Sequence, residues 1–258
     1  MESFLTGVIP PYPPSWTYIF DSLADWKLLG NNEIGDCAAV SAANMVRTIT
    51  ALLGSKEMYP SFSQVEALYR TQNPYYPAQD EGMDLQTMFE YMLHTGWPNG
   101  QKIVAFARFD PNTPDVARAA ISIFGTPILG AWISQGVKED FYAGRPWDYH
   151  PRSPILGGHA VMAGAYKGES LSDVGFVSWA EECYMTDAFL KNCMMQAWIV
   201  IRPEHLVTEG FQQGIDLAAL KSAYQAFTGR SMDVPTLPPP SNPGCFSVGT
   251  LLRLLKGK

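Results

Sequence analysis

Gly30-Asn31-Asn32-Glu33-Ile34-Gly35-Asp36-Cys37-Ala38-Ala39-Val40-Ser41-Ala42-Ala43-Asn44-Met45-Val46 is the stretch that decides the fold. Its first seven residues are turn formers, and a run of small and apolar residues follows to Leu53 and stops at Gly54. The apolar positions go all the way round the helix, so the spacing predicts a helix buried on most sides. Cys37 stands at or near its N-terminus. Free N–H groups and the helix dipole favour a thiolate there, and a thiolate needs a proton partner, most often histidine. Of His94, His150, His159 and His205, His159 has the most telling context. It follows Gly157-Gly158, which allow close backbone approach to a cleft, and is expected to open a strand through Ala160-Val161-Met162-Ala163-Gly164-Ala165-Tyr166.

Further helices are expected from Ser63 (a capping box with Glu66), from Asp84 through Leu85 to His94, from Thr113-Pro114 to Phe124, and from Asp216 to Gly229. Strands are expected at Ile128 to Ile133, Ala160 to Ala165, Val174 to Trp179 and Ala197 to Ile201. Glu181-Glu182 reads as a solvated turn, and Met194-Met195 as strand packing. Helices first and strands later make an α+β arrangement. Three parts are expected: a Pro/aromatic arm over 1–26, a domain over 27–230, and a Pro-rich linker with a short apolar tail over 231–258. Proline in the first arm disfavours helix, and such an arm wraps its own domain or docks on a partner.

The order of these motifs resembles the papain-like cysteine peptidases. Asn31 to Cys37 resembles that family's nucleophile loop, Asp80-Glu81-Gly82-Met83-Asp84 its glycine turn before a helix, and Gly125 to Gly130 its entry to the second lobe. Gly158-His159-Ala160-Val161 resembles its His-Ala-Val strand, and Val177-Ser178-Trp179 its Asn-Ser-Trp strand. Proteins of phages and bacteria with a Gly-Asp-Cys loop look most similar. The resemblance implies a two-lobe papain-like fold, with Cys37 as nucleophile, His159 as its base and Asn31 as oxyanion donor, six positions before the cysteine where the family has Gln. It places Val177 where the family has its orienting Asn; Asp173 and Ser178 are the candidate replacements. The implied activity is amide hydrolysis of a peptide or amide substrate through a thioester. The alternatives are a catalytically inactive structural or binding protein, as in a phage or bacterial assembly, and a thiol acyltransferase.

The 258 residues contain 47% hydrophobic and 12% aromatic residues, but 17% charged residues against roughly 25% in an average globular chain. This composition excludes simple disorder. A net charge of −7 argues against a nucleic-acid partner held by bulk charge. No spanning segment is read; Val116 to Ser134 is interrupted by Arg118 and Pro127. No signal peptide is read at Met1 to Pro10, so cytoplasmic synthesis is expected, with later association with a virion left open. Cys183, Cys193 and Cys245 lack zinc-site spacing, and neither metal nor cofactor is expected. The low charge and the apolar ends suggest self-association or a protein partner through the arms.

Overall fold

The computed structural model describes residues 12–54, 56–98, 100–208, 211–212, 216–228 and 231–235. The tail Phe246 to Lys258, Cys245, nearly all of the Pro-rich linker and the start of the arm lie outside the described residues.

A central helix, α2 (Cys37–Leu52), lies against one face of a six-stranded antiparallel sheet. Every residue from Ala38 to Thr50 is buried, as the all-round small-residue pattern requires. Beside it stand α3 (Phe62–Tyr69) and α4 (Leu85–His94). The Asp84 carboxylate accepts from Thr87 N at 2.8 Å and caps α4 as expected. The cap of α3 is Ser61 rather than Ser63: Ser61 Oγ accepts from Gln64 N, and Ser61 N donates back to Gln64 Oε1. The reciprocal pair lies two residues earlier than the Ser63–Glu66 reading.

The sheet runs β1-β6-β2-β3-β4-β5 across, with β1 Ala105–Phe109, β2 Ile128–Ser134, β3 Ile155–Tyr166, β4 Val174–Ser178, β5 Glu181–Met185 and β6 Met194–Ile201. Alternation along the strands divides the core in two. Ile128, Ala160, Met162, Val177 and Trp198 meet α2 and α4. Leu129, Val161, Ala163, Phe176 and Ala197 face the other way, toward α5 (Pro114–Phe124) and α7 (Asp187–Cys193). Each fully buried large aliphatic or aromatic side chain contributes roughly 1.5–3 kcal/mol, so both faces are strongly fixed. Between β2 and β3 lies α6 (Gln135–Tyr142), and α8 (Leu217–Thr228) closes the β1 end of the sheet through Leu220. The architecture is α+β, as the sequence reading expects.

Three local readings are corrected. Residues 181–182 begin an edge strand, not a turn. His159 sits inside β3, which starts at Ile155 rather than at the histidine. The arm, although rich in proline, contains a short helix, α1 (Tyr18–Ser22), because Pro10 to Pro14 all precede it.

From Tyr12 to Trp26 the arm wraps its own domain. Trp16 and Tyr166 exchange two backbone hydrogen bonds of 2.7 Å. Ile19 and Trp26 are buried in the α2-side core. The ring of Phe20 lies where a Cβ on Gly175 would meet it at 2.8 Å, and one on Gly164 at 3.1 Å. Those two glycines are what lets α1 seat on β3 and β4. No helix among the described residues is long and apolar enough to cross a membrane.

Candidate active site

The start of α2 and the middle of β3 meet at one cleft of about 450 Å³. Its lining includes Asn31, Cys37, Glu81, His159, Trp179 and Gln196. Cys37 is half-buried at the first position of α2, and its Sγ accepts from Ala160 N at 3.4 Å. That bond ties the sulfur to the residue that follows His159.

The imidazole is fixed from two directions. His159 Nε2 is 2.8 Å from Ser178 Oγ. Trp179 stacks on the ring with centroids 4.5 Å apart and planes 23° apart. Trp179 and Ala180 both have positive φ, +47° and +66°, in the turn from β4 to β5. This sparsely populated geometry is the backbone feature that brings the indole round onto the imidazole. Nδ1 of His159 has no hydrogen-bond partner among the described residues.

The motif resemblance pointed at Val177 for the orienting residue, and the pleat explains why the neighbour takes that place. Val177 is on the α2 face of β4 and packs in the core, so Ser178, one residue on, faces the histidine. Asp173 is elsewhere. Fully buried, it accepts from Arg118 Nε at 2.9 Å, Arg118 Nη2 at 2.8 Å and Gly168 N at 2.7 Å. It fixes the β3–β4 turn and does not reach His159. Of the two orienting candidates, only Ser178 contacts the imidazole.

Asn31 is buried and lines the cleft on the same side as Cys37. Its side-chain amide makes no hydrogen bond among the described residues, which leaves it available to a ligand. Of the three tryptophans considered as groove residues, Trp179 lines the cleft, Trp147 is in the core and Trp132 is on the surface.

Sequence reasoning missed the clamps behind the nucleophile loop. The Asp80 carboxylate accepts from Gly35 N at 3.0 and 3.1 Å and from the Tyr69 hydroxyl. Buried Asn73 holds both ends of the Glu81-Gly82 turn: its Oδ1 accepts from Glu81 N at 3.1 Å, and its Nδ2 donates to Gly82 O at 2.6 Å. Gln72 does the same to Asp84, through both its N–H and its C=O. These are long-range bonds with no local periodicity. The one available signal was the number of amide and acidic residues in 72–84.

The electrostatics differ from the expected stored thiolate. Burial pushes the Cys37 thiol up; Ala160 N–H opposes this, and neighbouring Asp36 adds to it. Burial pushes His159 down to about 4. Both shifts favour the uncharged forms, thiol and imidazole. Asp36 itself has both carboxylate oxygens buried without a partner, and burial lifts it to about 7.

No protein-family model matches the chain, and no curated protein sequence does. Solved structures do. Xylellain, a cysteine protease from Xylella fastidiosa, superposes with a TM-score of 0.60 at 14% identity, over 78% of this chain and 90% of that one. The fold is papain-like. Procathepsin B S9 of Trypanosoma congolense shares the papain-like fold at 0.54 and 10% identity, over 76% and 79%. So does the ragweed pollen allergen Amb a 11, a cysteine protease in its proform, at 0.56 and 15%, over 76% and 67%. At such identities the likeness speaks for the papain-like fold alone, and the chemistry has to be argued from this chain's own residues.

Proposed function

We propose that the chain is a thiol hydrolase of peptide or amide bonds, with Cys37 as nucleophile and His159 as general base and acid. The observation that carries this reading is the imidazole anchored on Ser178 through Nε2, with Nδ1 unbonded, in one cleft with the sulfur of Cys37.

In this reading the substrate carbonyl carbon approaches Sγ. His159 takes the thiol proton as the C–S bond forms, because neither charge is stable alone in that environment. The backbone N–H of Cys37 and the side-chain amide of Asn31 donate to the developing oxyanion, each such donor being worth about 10²–10³ in rate. The imidazolium returns its proton to the leaving amine, and a thioester remains. His159 then deprotonates water, which attacks the thioester carbonyl and regenerates the thiol. Ser178 fixes the ring's orientation, a weaker support than a carboxylate because a hydroxyl does not neutralise the imidazolium.

A second reading has specific support: the shifts toward the uncharged forms and the unpartnered Asp36 beside the nucleophile suit a binding protein that keeps the site but not the turnover. Single-turnover acylation decides between them. An active-site acylating amide should leave a covalent adduct on Cys37, detectable by peptide mapping, that is lost in Cys37→Ala and His159→Ala. A native chain that forms no adduct favours the binding protein.

A further inference from the structure

One titratable group in the cleft has no part in the chemistry above. Besides Cys37 and His159, the only ionisable residue among the described residues that line the cleft is Glu81. Its side chain is exposed and pairs with nothing among the described residues, while its backbone is rigidly held: Glu81 N donates to the buried Asn73. The neighbouring loop is stitched to the same wall, since Gly35 N donates to Asp80. A wall whose backbone is held therefore carries one unpaired carboxylate at the lining of the cleft that also holds Cys37. No lysine or arginine is among the described residues that line the cleft. A cation lies just behind one lining residue: Arg108 Nη2 donates to the carbonyl of Met195 at 3.0 Å. Among the described lining residues the charge is therefore negative, and Glu81 carries it.

We propose that Glu81 selects substrates with a cationic side chain, lysine or arginine, next to the scissile amide. This deepens the hydrolase reading and rests on Cys37 being the reacting group of the cleft. A carboxylate on a wall whose backbone is held attracts a cation and repels an anion, and it discriminates by both effects. Because the carboxylate has no partner to give up, a substrate cation need not displace an existing ion pair.

Two readouts separate this proposal from the hydrolase reading. The first is the labelling rate of Cys37 by a trimethylammonium-bearing and a sulfonate-bearing methanethiosulfonate, each relative to a small thiol in solution, with the site verified by peptide mapping. The native chain should favour the cationic reagent by roughly tenfold. Glu81→Gln should remove most of that preference, Glu81→Lys should invert it, and salt should shrink it. The second is kcat/KM for peptide amides with Lys, Gln or Glu flanking the bond, where the Lys:Glu ratio should fall in Glu81→Gln.

Equal preference in the native chain and Glu81→Gln overturns the proposal, even if peptides are cleaved. A preference that depends on Glu81, with no peptide cleaved, upholds charge recognition at the Cys37 cleft and overturns the hydrolase reading and, with it, the scissile-amide part of the proposal. Glu81→Gln keeps the backbone bond to Asn73, and a native-like melting temperature confirms that a changed ratio is not unfolding.

Discussion

His159 and His205 are both pushed down to about 4 by burial, yet they stand in opposite situations. His205 is sealed in. Its Nδ1 accepts from Arg202 N at 3.0 Å, and Nε2 lies 3.0 Å from the Phe124 carbonyl, so both ring nitrogens serve the backbone. It locks the short 3-10 turn Pro203–Val207 to the end of α5. His159 has one nitrogen on a hydroxyl, a stacked indole on its ring, and its other nitrogen unbonded in a cleft. A shifted pKa therefore marks burial in both. What marks a candidate for chemistry is the unspent nitrogen beside a nucleophile.

The comparison is broken or sharpened most strongly by removing each histidine in turn. His159→Ala should lower kcat/KM about 10²–10⁴-fold, the usual range for a general base, with little loss of melting temperature. A His205→Gln chain that still folds should cleave at near-native specific activity. If the two variants lost activity equally, the distinction would fail.

Acid stability comes next. A neutral His205 whose pKa falls from 6.5 to about 4 contributes stability that is fully present above pH 6.5 and lost as pH drops through 4. Full loss is worth up to about 3 kcal/mol. His205→Gln should be less stable at pH 7 but should flatten the decline between those pH values in chemical denaturation. A slope unchanged in the variant would show that His205 does not titrate as described.

Asp36 is the extreme case, a buried carboxyl with neither oxygen paired. Its pKa is raised, so the stability it allows is full below 3.8 and is lost as pH rises through about 7. Asp36→Asn should gain about 1–3 kcal/mol at pH 8, relative to the native chain, and less at pH 4. It should also lower the Cys37 pKa, because it removes a neighbouring negative charge.

The smallest effect is expected at the histidine's support. Ser178→Ala should cost roughly tenfold in kcat, with KM nearly unchanged, since it loosens the ring without removing the base. Ser178→Thr should restore part of the loss. No effect on kcat would remove Ser178 from the account.

What the sequence made legible was the local and the periodic. The helix opened by Cys37, the cap at Asp84, Pro114 with its stop at Gly125, and the strand carrying His159-Ala160-Val161 were all readable. The edge strands β1 and β5 were not. Ala105 to Phe109 is short, and Glu181 to Met185 is an exposed edge that bears charge where a core strand would alternate. Ser178 was visible only as an alternative, because facing is decided by the β3–β4 register, in which Met162 pairs with Val177. The Asn73, Gln72 and Asp80 clamps left no periodic pattern, only the abundance of amide and acidic residues in 72–84. Burial was the part of the Cys37 environment that the sequence did not show. A helix N-terminus argues for a lowered thiol pKa, but burial and Asp36 outweigh it.

The most direct test of the central claim is the pH dependence of Cys37 alkylation by a neutral reagent, in the native chain and in His159→Ala. The account predicts labelling without an acid-shifted plateau, faster in the native chain by at least about tenfold near neutrality, because His159 takes the proton as the sulfur reacts. Identical profiles for the two chains, each titrating at or above ~8.5, would show a thiol that His159 does not assist, and would contradict it.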